Sequence, residues 1–223
     1  MGNIVVYKNM AKFIDDFRPK MQKLIGRGCE GVTYTDGVDA YKMYIYNYPK
    51  NEYYRNDISQ IITTEDYDLP SFTFPKTLYL VDKLLMGTRS TFIPNDIFHN
   101  WKQYKDIEVI RSLDFDSLIS AYYKMLEDIE YLTNHGVEIN DLAGNMVFDG
   151  KSLVGVDTCF YDKKSSLSLK KLHDYNVHGI NVALAYYFSF LVSKYPELST
   201  YFENVNSKTD IITGIDKVKS ILK

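Results

Sequence analysis

Cysteine is almost missing from this chain. Cys29 and Cys159 are the only two in 223 residues. That is too few for a disulfide framework or a four-cysteine zinc site, so a reduced, intracellular setting is expected. No apolar run approaches the roughly 20 residues that a membrane-spanning helix needs. The opening stretch Met1-Gly2-Asn3-Ile4-Val5-Val6 lacks the apolar run of a signal peptide. Val6 in place of Ser or Thr sets aside a myristoylation motif at Gly2. A basic excess is lacking too: the formal net charge is −3, which gives no reason to expect nucleic acid as a partner. Internal repeats and low-complexity linkers are also absent, so a soluble globular protein with no membrane partner is expected.

What is present suits a packed chain. Hydrophobic residues make up 45% and charged residues 25%, the balance of an ordinary folded protein. The length serves one good core or two small lobes. Tyrosine is abundant at 20 residues, which coding bias explains as readily as function.

The first half reads as short segments. Met10 to Leu24 is irregularly amphipathic, an approach helix or strand. Strand-like runs follow at Gly31 to Tyr34 and Ala40 to Tyr46, joined by the tight-turn pair Asp36-Gly37. Pro49 precedes a helical stretch from about Asn51 to Ile62. Thr77 to Val81 and Leu84 to Thr88 read as strands around Asp82-Lys83. The second half is mainly helical. Apolar residues recur at helical spacing from Asp116 to Leu132, and His135-Gly136 stops the run. Two short strands, Asn145 to Phe148 and Leu153 to Val156, flank Asp149-Gly150. A helix apolar nearly all round runs from about Tyr175 to Val192, and the tail from Glu197 forms one or two short helices. A β-rich part followed by an α-rich part defines an α+β class.

Two clusters carry candidate chemistry. The first is Gly26-Arg27-Gly28-Cys29-Glu30-Gly31-Val32. Its glycines are followed by a strand and a tight turn rather than a helix, so the dinucleotide-binding reading fails. Two readings stay open: a flap whose backbone amides cover nucleotide phosphates, or an ordinary glycine-containing hairpin. Lys42, on the next strand, is either the lysine that holds phosphates or a solvent-facing strand residue. The second cluster runs from His135 through Asn140, Asp141 and Asn145 and continues at Val156-Asp157-Thr158. Carboxylate and carboxamide oxygens on loops around a short hairpin suit a hard cation and a hydroxyl-orienting base. Polar turns with side-chain-to-backbone hydrogen bonds are the alternative. Cys29 is an incidental small residue or a redox sensor.

Taken together, these motifs resemble the eukaryotic-like protein kinase superfamily over most of the chain. Asp141-Leu142 is similar to the catalytic Asp-Leu, Asn145 to the metal-binding asparagine, and Asp157-Thr158-Cys159 to the Asp-Phe-Gly segment. Asp174 through Gly179 has the Asp-and-Gly spacing that opens the central helix of the larger lobe, where the family's aspartate buttresses the catalytic loop. The resemblance implies a bilobal fold: a small antiparallel sheet with one helix over residues 1–88, then a reduced, mostly helical lobe over residues 89–223. It implies ATP and Mg2+ and nucleotide contacts from Gly26, Arg27, Gly28, Gly31, Val32, Ala40 and Lys42. It also implies metal ligation by Asn145 and Asp157, and Asp141 as the base. Asp57 is the expected helix partner of Lys42, with Glu52 the alternative.

Departures from the family are specific. One residue is missing between Asp141 and Asn145, so a gapless alignment puts Asn140 in the catalytic position. Ile139 and Asn140 replace the usual histidine and arginine, and Thr158 and Cys159 the usual Phe-Gly. No Ala-Pro-Glu segment lies between Asp157 and Asp174. The stretch holding Lys163, Lys164, Ser165, Ser166, Ser168, Lys170 and Lys171 reads as an activation loop, a basic patch or a solvated polar loop. The small size is similar to that of minimal bacterial effector kinases, which implies a protein serine/threonine or tyrosine acceptor. It also implies either a cytoplasmic location or export, without a classical signal, into a host cytosol. Small-molecule phosphotransfer of the aminoglycoside or choline kinase type, nucleotide binding without turnover, and AMP transfer are the rival expectations.

Overall fold

A computed structural model describes residues 3–45, 58–94, 98–99, 107–203 and 208–222. The chain divides into two units: Met1–Asp68 with Thr73–Pro94, and Leu69–Phe72 with Asn95–Lys223. The division at 88/89 expected from the sequence falls inside a strand that continues to Thr91.

In the first unit, Asn9 starts helix α1 (Met10–Phe17) by accepting a hydrogen bond from the Lys12 backbone N–H at 3.0 Å. Phe13 and Phe17 sit one turn apart on its buried face. A 3-10 turn at Arg18–Lys20 then leads into strand β2 (Lys23–Arg27). The stretch from Met10 to Leu24 is therefore a helix, a turn and the start of a strand. The remaining strands are β1 (Asn3–Tyr7), β3 (Gly31–Thr35), β4 (Asp39–Tyr44), β5 (Thr77–Val81) and β6 (Leu84–Thr91). They form one sheet in the order β1-β5-β6-β4-β3-β2.

The sheet is mixed, not antiparallel as expected, because β1 runs parallel to β5 while its other pairings are antiparallel. No tight turn joins β1 to β5, so nothing forces that pair into the antiparallel sense. Both hairpin turns read from the sequence are present. Asp36 Oδ1 accepts from the N–H groups of Val38 and Asp39 at 2.9 and 2.8 Å, and Gly37 takes a φ of 93°. Asp82 and Lys83 take φ of 49° and 66°. Two consecutive left-handed residues match the right-handed twist of the flanking strands.

The core of this unit lies between α1 and one face of the sheet. Tyr7, Phe13, Phe17, Tyr41, Tyr79, Val81 and Met86 are buried together, with Met43 packed beside them. The Phe17 ring meets Tyr41 and Tyr79 edge-on, with centroids 5.9 and 5.4 Å away. Of the expected helix at Asn51 to Ile62, residues 51–57 lie outside the described residues. Ile58–Gln60 is a 3-10 turn.

The second unit is built on α3 (Phe115–Asn134) and α4 (Leu169–Val192), preceded by the short α2 (Ile107–Arg111) and followed by α5 (Ser199–Phe202) and α6 (Lys208–Leu222). Asp114 caps α3, accepting from the N–H groups of Asp116 and Ser117. The helix stops where the sequence places the stop. Gly136 adopts φ 77°, its N–H donates to Thr133 O, and the Val137 N–H donates to Leu132 O. That is a Schellman closure, which needs a left-handed residue after the helix. Strands β7 (Phe98–His99), β8 (Met146–Phe148) and β9 (Leu153–Gly155) make a small second sheet. Leu69–Phe72 joins this unit. The Ser71 N–H donates to Asp128 Oδ2 at 3.1 Å, and Ser71 O accepts from the Gly155 N–H at 2.8 Å. A Cβ on Gly155 would lie 2.8 Å from the Phe72 ring, so only glycine lets these segments close. Among the described residues no helix is long and apolar enough to cross a membrane.

Because Phe17 fills the space between α1 and the sheet, Phe17→Ala is expected to cost about 3–5 kcal/mol. Urea unfolding followed by far-ultraviolet circular dichroism would measure it.

Candidate functional site

Side chains alternate across a strand, and this sorts the sequence candidates of the first unit. On β4, Tyr41 and Met43 turn toward α1, so Ala40, Lys42 and Tyr44 take the opposite face. The register sets Lys42 beside Thr33 of β3 and Thr88 of β6, and Gly26 of β2 opposite Thr33. Val32 instead pairs with Met43 and Arg27, which places Val32 and Arg27 on the α1 side. Gly26, Ala40 and Lys42 therefore share one face, while Val32 and Arg27 belong to the other. Thr33, passed over in the sequence, is the residue of β3 beside the lysine.

Lys42 does not face solvent. Its side chain is 12% exposed, and its ammonium lies 2.6 Å from Glu30 Oε2, on a side chain 20% exposed. The Tyr44 ring centroid is 5.0 Å from the same nitrogen, an attractive contact between a cation and a ring face. The carboxylate seen beside Lys42 thus comes from the glycine-rich loop itself. Asp57 and Glu52, the partners expected from the sequence, both lie outside the described residues.

The loop is a short hairpin tip. The Gly28 N–H donates to Gly31 O at 3.0 Å and the Ile45 N–H to Glu30 O at 2.9 Å. The three glycines have different reasons to be there. A Cβ on Gly31 would sit 2.2 Å from Met43 O, so β4 itself demands glycine at that point. Among the described residues, a Cβ on Gly26 or Gly28 would meet nothing within 4 Å. Packing among the described residues therefore gives no reason for those two.

The second unit gathers the other cluster around the β8–β9 hairpin. Asp141 precedes it and Asp157 follows it, and both adopt left-handed backbone, with φ of 55° and 57°. Left-handed geometry is uncommon for residues other than glycine, though aspartate tolerates it best. Asn145 connects the loop to the hairpin. Its side-chain NH2 donates to Asp141 O and Oδ2 at 2.9 and 3.1 Å, and its backbone O accepts from the Val156 N–H at 2.7 Å. Asp157 opens a 3-10 turn, Thr158–Phe160, which leads to the buried Tyr161. Burial first, then the negative charges of Asp157 and Asp141, push the Tyr161 hydroxyl well above the usual tyrosine range.

Asn140 and Asp141 play different parts. The Asn140 NH2 donates to Phe160 O and Asp162 Oδ2 at 3.2 and 3.0 Å, and its carbonyl accepts from the Tyr175 hydroxyl at 2.8 Å. Its amide is engaged at both ends, while Asp141 stands exposed. The segment after Asp157 is tied to the same loop. Glu138 and Asp162 exchange backbone hydrogen bonds, the Ser165 N–H donates to Gly136 O, and Ser165 Oγ donates to Glu138 Oε2 at 2.5 Å. Ser165 is half-buried, while Ser166, Ser168, Lys170 and Lys171 are exposed.

One expected role moves to another residue. Helix α4 begins at Leu169, not near Tyr175, so Asp174 lies inside it rather than opening it. The Asp174 side chain is 67% exposed, near His173, and no hydrogen bond links it to the loop. The buttress is Asn176, which is fully buried. Its Oδ1 accepts from the Ile139 N–H at 2.8 Å, and its Nδ2 donates to Thr133 Oγ1 and Val137 O, both at 2.9 Å. A periodicity was available to find it: Leu172, Asn176, Ile180, Leu184 and Leu191 lie on the buried stripe of α4, and Asp174 lies off it. Glu30 had no comparable signal, because a residue between two loop glycines carries no spacing rule. Tyr187 adds a second brace, its hydroxyl donating to Met146 O at the start of β8.

The cation implied by the kinase resemblance can be tested against these donors. Asn145, Asp157 and Asp141 offer only oxygen, as a hard divalent ion requires. Among the described residues no group of three or more His, Cys, Asp or Glu is drawn together for a metal. Mg2+ in a phosphate site is held by one or two carboxylates with water and phosphate oxygens completing its shell, so the donors fit it. No protein-family model and no curated protein matches the chain.

Two stability outcomes follow from this geometry. Gly31→Ala is expected to destabilise by about 1–3 kcal/mol through overpacking, whereas Gly28→Ala leaves the melting temperature unchanged; differential scanning calorimetry separates them. Asn176→Ala leaves buried backbone groups unpaired and is expected to cost about 1–3 kcal/mol. Hydrogen exchange should show the lost protection first at the Ile139 amide.

Proposed function

We propose that the chain is an ATP- and Mg2+-dependent kinase of minimal size that phosphorylates a protein hydroxyl. The observation that carries this reading is the arrangement of Asp141 and Asp157. Both are held in left-handed backbone at the two ends of one short hairpin, and Asn145 donates to the Asp141 carboxylate. Uncommon backbone of this kind persists where surrounding structure holds it, and it clusters at functional sites.

In this reading each unit contributes its own part. The first offers the backbone of the Gly26–Gly31 loop to nucleotide phosphates, and the Lys42 ammonium neutralises their charge. In the second, Asn145 and Asp157 would hold the cation, and Asp141 orients the acceptor hydroxyl and takes its proton as the phosphoryl group passes to that oxygen and ADP leaves. Asn140 is engaged in the segment after Asp157, which supports Asp141 rather than Asn140 as the base. A cation held there would supply positive charge to offset that of the phosphates. The chain's own work is positioning and preorganised charge, because phosphoryl transfer needs little covalent help.

Transfer of radiolabel from the γ-position of ATP to protein is the test. Lys42→Met, Asp141→Asn and Asp157→Ala are each expected to lower it by at least about 100-fold. Full activity in the Lys42 and Asp157 variants would sink the mechanism. Label in small alcohols or aminoglycosides instead of protein would assign a small-molecule phosphotransferase. Tight nucleotide binding without transfer would assign a pseudokinase, and label transferred from the α-position an AMP transferase.

A further inference from the structure

We propose that Glu30, inside the glycine-rich loop, is a positioning residue for Lys42, a carboxylate that the sequence reading did not offer. This inference rests on the kinase reading of Lys42 and adds to it the group that holds the lysine in place. The two charges are 2.6 Å apart and largely shielded from water. A charge-assisted hydrogen bond of that length fixes both ends, and weaker screening strengthens it further.

The second observation is how Glu30 is itself held. Its carbonyl accepts from the Ile45 N–H, just beyond the end of β4. Its neighbour Gly31 lies so close to β4 that a Cβ would collide with Met43 O and crowd the Tyr44 Cα. The backbone of Glu30 is therefore clamped to the strand that carries Lys42, three positions past the lysine. Tyr44, on the same face of β4, closes on the ammonium. Carboxylate, lysine and ring all arise from one strand and the hairpin laid against it.

A carboxylate in this loop has two opposite uses. It can hold the lysine ready for phosphates, or it can occupy the ammonium as a latch that phosphates must break. The clamp favours the first, because a latch needs a tip free to swing away and this tip is bonded to β4 on the lysine's own strand. The arrangement also couples the loop to the lysine. A substitution that frees the tip from β4 misplaces the phosphate amides and the ammonium together.

The test compares wild type with Glu30→Gln, Glu30→Asp, Lys42→Met and the Glu30→Gln/Lys42→Met double variant. Affinity for a fluorescent ATP analogue with Mg2+, kcat and KM for ATP, and melting temperature are recorded for each. Glu30→Gln is expected to lower kcat/KM for ATP about 10- to 100-fold, the range that small misplacement of a charged group produces. Glu30→Asp keeps the charge and recovers part of that loss. The double variant is no slower than Lys42→Met alone, because the carboxylate acts only through the lysine. Wild-type transfer by Glu30→Gln overturns the proposal, as does tighter nucleotide binding in that variant, which is the mark of a latch. Additive losses in the double variant overturn it too. If wild type binds no nucleotide, the reading of Lys42 fails and this inference with it. If wild type transfers phosphate and Glu30→Gln is unaffected, only the inference fails. Should Glu30→Gln melt below assay temperature, Glu30→Asp carries the test, and an unchanged kcat/KM in a folded Glu30→Asp overturns the proposal.

Discussion

Strand β4 has to satisfy two faces of the sheet at once, and the first unit is arranged around that constraint. It lies between β3 and β6, so neither edge is open and its register cannot slip without turning every side chain over. Tyr41 and Met43 are committed to the core under α1. Lys42 is thereby forced onto the opposite face, into a setting that is mostly shielded from water. A shielded ammonium needs a counter-charge, and the hairpin tip pressed against the same strand delivers one. Close packing at Gly31 and the Glu30–Lys42 ion pair are two consequences of one contact.

In the second unit the comparable constraint is a polar residue in an apolar place. Asn176 sits on the buried stripe of α4, where an unpaired amide is costly. It is satisfied by the chain leaving α3: the Thr133 hydroxyl, the Val137 carbonyl and the Ile139 N–H. Those three partners span the Schellman closure at Gly136 and the start of the loop that carries Asp141. The helix end and the loop are thus set by one amide. Beyond it, the Gly136 carbonyl, Glu138 and Asn140 bind the segment after Asp157 to the same loop. The left-handed geometry of Asp141 and Asp157 is supported from both sides.

Gly26 and Gly28, with nothing against them among the described residues, have no role in this packing. Three other glycines answer to named atoms: Gly31 to the Met43 carbonyl, Gly87 to the Lys42 carbonyl, Gly155 to the Phe72 ring. A residue kept small where there is space to be large is the opposite of a core requirement. That contrast separates Gly31, which serves the sheet, from Gly26 and Gly28, which among the described residues do not.

Local signals in the sequence determined a good deal of this protein. The α+β class, the hairpin turns at Asp36-Gly37 and Asp82-Lys83, the stop of α3 at Gly136 and the paired strands of the β8–β9 hairpin all follow from backbone preferences and short-range periodicity. Those act within a few residues and need no knowledge of distant contacts. The residue types of the candidate site were legible for the same reason, because Asp141, Asn145, Asp157 and Lys42 stand in a recognisable order. Tertiary structure alone decided which partners they meet. The parallel pairing of β1 with β5, the assignment of Val32 to the far face from Lys42, the buttress at Asn176 instead of Asp174, and the carboxylate of Glu30 beside Lys42 each depend on a contact between segments. Hydrogen bonds and ion pairs of that kind are chosen by distance in space, which residue spacing along the chain does not encode.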